Sequence, residues 1–323
     1  MKTVLKILIL SLMTHINLAQ PADYYKEVDR IVWIVKDLQG VVNGWQSLGF
    51  SEIMDYGLVS LRNNTGEIEV YMASANLGGS RITWIQPESQ NTIFGKFLEE
   101  HGDGGFSLMH RVLSKDAMDQ EVTRLKDLGV TELMKGTIET DSGPVSYVFL
   151  DTQQDGKYAL GLVYGPDDLS ETSGNNERKM KFTQYAFAIK DPVPVSAYWA
   201  GLGFPPLEVT HGEVWEKTYY EKPADFDMKL GWQRHGKIVY EWCIPLKGPT
   251  VYSDHIKTHG EGFQHMGFNV PDMDEAITFF KGQGYAISMS GGWGDKGKEG
   301  SGRFAYVNTE SIGGETIELL WSY

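Results

Sequence analysis

One opening recurs four times along this chain, and it limits the possible fold more than any other feature. A strand-like run leads into a helical stripe that a glycine stops 19 positions on: Arg30 to Gly49, His110 to Gly129, Gln184 to Gly203 and His265 to Gly284. Successive openings lie 80, 74 and 81 residues apart, longer than common solenoid repeats, and each unit mixes strand and helix. In the first unit residues 28–35 read as a buried strand. Residues 36–48 read as a helix with Leu38, Val41, Val42, Trp45 and Leu48 on one stripe. Residues 66–72 and 81–86 read as further strands, and Pro87 stops the last. The unit is βαβββ, and the expected fold is α+β, built from four such modules.

The modules fall into two pairs. Residues 165–176 are polar, aperiodic and rich in Gly, Ser and Asn, the signature of a connection. A lead-in motif marks the second module of each pair: His101-Gly102-Asp103-Gly104 and His259-Gly260-Glu261-Gly262. The expected organisation is a first domain over residues 20–166, a linker over 167–180 and a second domain over 181–323.

Residues 1–19 read as an export segment: Lys2 and Lys6 precede the apolar run Ile7-Leu8-Ile9-Leu10-Ser11-Leu12-Met13, and Ala19 stands at the cleavage position. A membrane span needs about twenty apolar residues, and Thr14, His15 and Asn17 interrupt the run. The expectation is a periplasmic or secreted protein, with no membrane association after processing. The formal charge is −14; losing two of the 29 basic residues leaves 27 against 43 acidic, or −16. Such a chain repels nucleic acid and anionic membrane, so the expected partner is a small molecule. A single cysteine, Cys243, excludes an internal disulfide. Asn63-Asn64-Thr65 is a glycosylation sequon that matters only in a host that glycosylates such sites.

The second domain carries the chemistry. Its two opening strands begin around Gln184 and His265, both bearing metal-binding atoms. Its two closing strands, Ile238-Val239-Tyr240-Glu241-Trp242-Cys243 and Thr316-Ile317-Glu318-Leu319-Leu320-Trp321, each carry one carboxylate in an apolar run. Strand side chains alternate faces, so Glu318 shares a face with Thr316 and Leu320. A charge placed there needs water, a partner or a cation. In the first domain the matching positions are Arg30, Thr83, His110 (or Met109 with the register moved by one) and Gly161, without a carboxylate. That domain reads as a scaffold or lid whose own cavity would bind without metal.

The fourfold βαβββ repeat, the run His259-Gly260-Glu261-Gly262-Phe263-Gln264-His265 and the ending Phe304-Ala305-Tyr306-Val307-Asn308-Thr309 to Gly313-Gly314-Glu315-Thr316-Ile317-Glu318 resemble the vicinal oxygen chelate superfamily. The superfamily comprises glyoxalases, bleomycin-resistance proteins and extradiol dioxygenases; glyoxalase I and methylmalonyl-CoA epimerase are nearest in these motifs. The resemblance implies two tandem glyoxalase-like domains, the second holding one divalent metal. The implied ligands are Gln184, Glu241, His265 and Glu318. The metal would be Zn, Ni, Co, Mn or Fe. It would act as a Lewis acid that stabilises an enediolate formed by proton removal beside a carbonyl. By the same resemblance Glu318 is the proton-transfer base, and Glu241 is a ligand or its opposite-face partner.

The implied activity is that of an isomerase, epimerase or lyase acting on a carbonyl or hydroxy-carbonyl compound. The alternatives are an extradiol-type ring-cleaving dioxygenase, which generally needs a second histidine where Gln184 stands, and a non-catalytic resistance-type binding protein. Three further features have readings of their own. Trp199, Trp215, Trp232 and Trp242 are candidate pocket walls, the glycine-rich run 290–302 is a candidate lid bringing Trp293 or Lys298 to a ligand, and Cys243 faces the same way as Glu241 as a small buried residue.

Overall fold

The computed structural model describes residues 22–63, 66–167 and 172–323. The expected export segment and two residues of the sequon, Asn64 and Thr65, lie outside the described residues. In the first half, strands and helices run β1 (Arg30–Ile34), α1 (Leu38–Ser47), β2 (Ile53–Asn63), β3 (Gly66–Leu77), β4 (Ser80–Pro87), α2 (Ile93–His101), β5 (Gly104–Arg111), α3 (Lys115–Asp127), β6 (Thr131–Thr140), β7 (Gly143–Asp151), α4 (Gln153–Gly156) and β8 (Ala159–Tyr164). The second half follows with β9 (Lys181–Ala188), α5 (Pro192–Gly201), β10 (Glu208–Thr210), β11 (Val214–Tyr219), β12 (Lys222–Pro223), β13 (Asp227–His235), β14 (Ile238–Lys247), α6 (Val251–Thr258), β15 (Gly262–Asn269), α7 (Met273–Gly282), β16 (Ile287–Trp293), β17 (Gly302–Thr309) and β18 (Glu315–Ser322).

The repeat has a local cause at both ends of each module's helix. Asp37, Ser114, Asp191 and Asp272 are the N-caps of α1, α3, α5 and α7, and each side chain accepts from a backbone N–H of the first turn. The stopping glycines Gly49, Gly129, Gly203 and Gly284 all take left-handed φ, between 89° and 97°. That conformation favours glycine and ends a helix.

β1 to β8 close into a barrel in the order β1-β4-β3-β2-β6-β7-β8-β5. In each module the first and last strands pair in parallel, and the two modules meet along their first strands, β1 against β5. The second half repeats that plan, with β9 antiparallel to β15, β14 parallel to β9 and β18 parallel to β15. Its third module departs from the repeat. The strand after α5 is broken at residues 211–213, so β10 pairs with β13 while β11 crosses to β16 of the fourth module. One interrupted strand therefore bridges the two sides of the sheet over its concave face.

The largest apolar cluster lies between the two sheets. Trp33, Trp84 and Leu160 from the barrel pack there with Tyr185, Phe187, Trp199, Trp242 and Phe263 from the second sheet. Trp33 stands edge-on to Phe263 at 5.1 Å, and its Nε1 donates to the Gly313 carbonyl at 2.5 Å. Burying each such side chain contributes about 1.5–3 kcal/mol. The two lead-in motifs meet at this junction: His101 Nδ1 donates to the His259 carbonyl at 2.8 Å and His259 Nδ1 to the His101 carbonyl at 2.6 Å. The reciprocal pair places the duplicated halves about a local twofold.

His110 is not the barrel's counterpart of His265. In the barrel Arg30 faces Met109 across β1 and β5, as Gln184 faces Gly267 across β9 and β15, which makes Ser107 the counterpart of His265. The fixed 19-residue spacing misleads because α3 has 13 residues where α1, α5 and α7 have 10, moving the glycine three places on. His110 points away from the barrel interior, edge-on to Tyr25 at 4.9 Å, with its Nδ1 on the Glu27 carbonyl.

Burial pushes the His110 imidazole down to about 4. The folded state stays neutral there while the unfolded chain binds a proton below about 6.5, so stability falls as pH drops from about 6.5 to about 4. The expected loss is about 3 kcal/mol over that window. Urea unfolding at pH 7 and pH 4.5 should show it, and a His110→Leu variant should reduce the dependence, leaving the share of His255, which burial pushes down to about 3.

Candidate metal centre

Four side chains from four neighbouring strands meet on the concave face of the second sheet. Gln184 lies on β9, Glu241 on β14, His265 on β15 and Glu318 on β18. Their exposures are 7%, 3%, 0% and 4%. Gln184 Nε2 donates to Glu241 Oε2 and to Glu318 Oε2, both at 2.9 Å. His265 Nε2 lies 3.2 Å from Glu241 Oε2 and 3.3 Å from Glu318 Oε2. The register explains the convergence: Gln184 sits opposite Gly267, itself paired with Glu318, while Glu241 pairs with Ala186 two residues along β9. Gly267 is needed there, since a Cβ would come within 2.6 Å of Gln184 Cγ.

The charge balance of the cluster is that of a cation site. Burial raises the Glu241 carboxyl above the usual range, and the Glu318 carboxylate beside it adds to the effect. Burial works against a charged imidazole at His265, but Glu318 and Glu241 outweigh it and hold that group up to about 9. A proton on His265 is thus the positive charge these two carboxylates share. Two carboxylates, an imidazole nitrogen and an amide able to turn its oxygen inward form a donor set that suits a divalent cation.

Gln264 completes the site, and the strand period conceals it. Alternation would send Gln264 to the face opposite His265, but β15 shifts register between Phe263 and His265. His265 Nδ1 donates to Gln264 Oε1 at 2.6 Å, which fixes the tautomer leaving Nε2 toward the carboxylates. Gln264→Leu is expected to weaken divalent-metal binding about 10- to 100-fold with the fold intact, as read by competition with a chromogenic chelator.

Cys243 adjoins the cluster: its Sγ, a Glu241 oxygen and a His265 ring nitrogen lie within 4.8 Å of one another. Burial, and then the Glu241 charge, push its thiol well above the ordinary range. As a neutral thiol it packs beside the site, and the carboxylates are the better donors.

Above the cluster is a cavity of about 810 Å³, walled by Trp215, Trp232, Trp293, Phe304, Tyr252 and Tyr306. Trp215 and Trp232 are thus pocket residues, whereas Trp199 and Trp242 are fully buried in the core between the sheets. The glycine-rich run has a steric purpose. A Cβ on Gly292 would lie 2.2 Å from the Trp215 ring, and one on Gly302 would lie 2.4 Å from the Trp293 ring. Its glycines seat two tryptophans. Trp293 lines the cavity, and Lys298 is not among the lining residues.

The barrel has no such donor set. Arg30, Thr83, Ser107 and Gly161 hold the four corresponding positions. Met109 occupies the space a side chain at 161 would need, its Cγ 2.8 Å from a Cβ there.

Residues 183–306 match the model of the Glyoxalase/Bleomycin resistance protein/Dioxygenase superfamily. No curated protein matches the chain. A triple mutant of 4-hydroxymandelate synthase from Streptomyces coelicolor shares the fold with a TM-score of 0.61 at 14% identity, over 92% of this chain and 92% of that one. The Mn(II)-bound glyoxalase from Novosphingobium aromaticivorans aligns at 0.45 and 12%, over 92% and 82% of the two chains. A xylose isomerase-like TIM barrel/4-hydroxyphenylpyruvate dioxygenase fusion protein aligns at 0.48 and 12%, over 94% and 49%. The match over residues 183–306 supports the vicinal oxygen chelate superfamily for the second domain. The architecture of the chain is two tandem glyoxalase-like domains, of which the second carries the matched segment.

Proposed function

We propose that the chain is a divalent-metal-dependent enzyme of the isomerase, epimerase or lyase kind, which moves a proton on a carbon next to a carbonyl. The observation that supports this most is the convergence of Gln184, Glu241, His265 and Glu318 at the floor of an aromatic-walled cavity. These four residues would hold the metal. When bound, the cation supplies Lewis acidity that polarises a substrate carbonyl and acidifies the adjacent carbon.

The remaining roles belong to the protein. Glu318 lines the cavity and takes the proton from that carbon. Glu241, on β14 and across β9 and β15 from Glu318, is a ligand or the opposite-face partner that returns the proton. Gln264 holds the His265 ring in place, and Trp215, Trp232 and Trp293 keep water from the reacting carbon. We place this activity outside the cytosol, from the composition of residues 1–19. Among the described residues no helix is long and apolar enough to cross a membrane.

An amide at position 184, where a ring-cleaving dioxygenase would carry a second histidine, favours proton transfer over oxygen chemistry. The test is solvent exchange. Metal-loaded protein in D2O with small 2-oxo and 2-hydroxy carbonyl compounds should place deuterium beside the carbonyl, and a chelator should stop it. Oxygen uptake with a catechol and iron, without exchange, would overturn the reading.

A further inference from the structure

Arg234 stands apart from the other arginines of this chain. Seven of the eight are ion-paired, three of them to Asp29. Arg234 meets no carboxylate among the described residues, in a protein with 43 acidic residues against 29 basic. Its guanidinium lies instead over the Trp232 ring, 5.2 Å from the centroid. That ring is held in turn by its Nε1, which donates to Thr210 Oγ1 at 3.0 Å. The ring face attracts the charge but takes no conventional hydrogen bond, so the guanidinium keeps its N–H donors for another partner.

The same residue lines the cavity above the metal cluster, where it is the only basic side chain. Along β13, Met228, Leu230, Trp232 and Arg234 alternate onto the cavity face. Trp232 pairs with Glu241 and Arg234 with Val239, which puts Arg234 about 7 Å along the strand from the level of Glu241. One small planar molecule spans that interval. The remaining charges of the lining outside the cluster are Glu213 and Asp295. Glu213 immediately precedes β11 and Asp295 follows β16, strands that pair with each other at the opposite end of the sheet order from β13. An anion is repelled there and drawn toward β13, and the indoles of the wall suit an aromatic body between the two ends.

We propose that Arg234 is a specificity-determining residue, and that the substrate of the second domain carries a carboxylate at the end of a planar body opposite the carbonyl that meets the metal. This rests on the metal-dependent reading given above and narrows its substrate class from carbonyl compounds to carbonyl acids. A planar carboxylate accepts two parallel N–H bonds from one guanidinium. A phosphate dianion needs more charge than this single cation supplies.

The test compares two ligands that differ only at that group, 4-carboxybenzohydroxamic acid and 4-carbamoylbenzohydroxamic acid, titrated calorimetrically into zinc-loaded full-length protein. Each offers two adjacent oxygens to the cation and carries either a carboxylate or a neutral amide across the ring. Wild type should bind the acid about tenfold more tightly, an advantage that shrinks as salt is raised. Arg234→Gln, a change at an exposed side chain, should bring the acid down to the affinity of the amide with metal content and unfolding temperature unchanged. Arg234→Lys keeps the charge without the fork and should retain part of the preference. Equal binding of the two probes to wild type, or a preference for the acid that survives Arg234→Gln, would overturn the proposal and leave the metal centre standing. Failure of both probes to bind the zinc-loaded protein would overturn it together with the reading on which it rests.

Discussion

Glu318→Gln is expected to lower solvent-proton exchange into substrate by about 10²- to 10⁴-fold, the usual contribution of a positioned general base. Glutamine keeps the volume of the side chain and a neutral oxygen for the Gln184 amide, now 2.9 Å from Glu318 Oε2. It accepts no proton from carbon. The variant should keep its fold and, where it retains its metal, lose turnover rather than substrate affinity. Retained exchange with retained metal would remove Glu318 from the reaction and leave Glu241 as the only cavity carboxylate of the cluster able to act.

The second large effect concerns the junction of the two sheets. Trp33 belongs to β1 of the barrel, yet its indole hydrogen-bonds to Gly313, beside the start of β18, and packs on Phe263. It is 1% exposed. Trp33→Ala is expected to cost about 3–5 kcal/mol and to weaken both halves together, because the largest apolar cluster contains residues of each. Trp33→Phe keeps an edge-to-face ring and loses the hydrogen bond, an expected cost nearer 1 kcal/mol. Thermal unfolding followed by near-UV circular dichroism separates the two variants. Two transitions, with only the first moved by Trp33→Ala, would mean that the halves unfold independently.

The repeat was legible because its physical causes are local. A capping Asp or Ser and a glycine with left-handed φ recur at each module's helix, and both are read directly from residue type. Gln184, Glu241, His265 and Glu318 come together because parallel pairing of first and last strands in each module puts them on adjacent strands. What stayed hidden depends on irregularity. One extra turn in α3 displaced the inferred counterpart of His265 from Ser107 to His110. A register shift in β15 brought Gln264 to the His265 ring against strand alternation. The break at residues 211–213, which sends β11 across to β16, follows from packing at long range rather than from any local pattern. The tryptophans divided similarly. Two became cavity wall and two became core: Trp215 and Trp232 are on strands that line the cavity, Trp242 points to the other face of β14 from Glu241, and Trp199 is on α5.

The central claim is that one divalent cation binds the cluster formed by Gln184, Glu241, His265 and Glu318. Metal content of the purified full-length protein, by plasma mass spectrometry after dialysis, tests it most directly. One equivalent of divalent metal per chain in the wild type, falling to background in a His265→Ala variant that remains folded, is the predicted result. Metal-free wild-type protein that takes up no cation on reconstitution, or a His265→Ala variant that keeps its full equivalent, would contradict it.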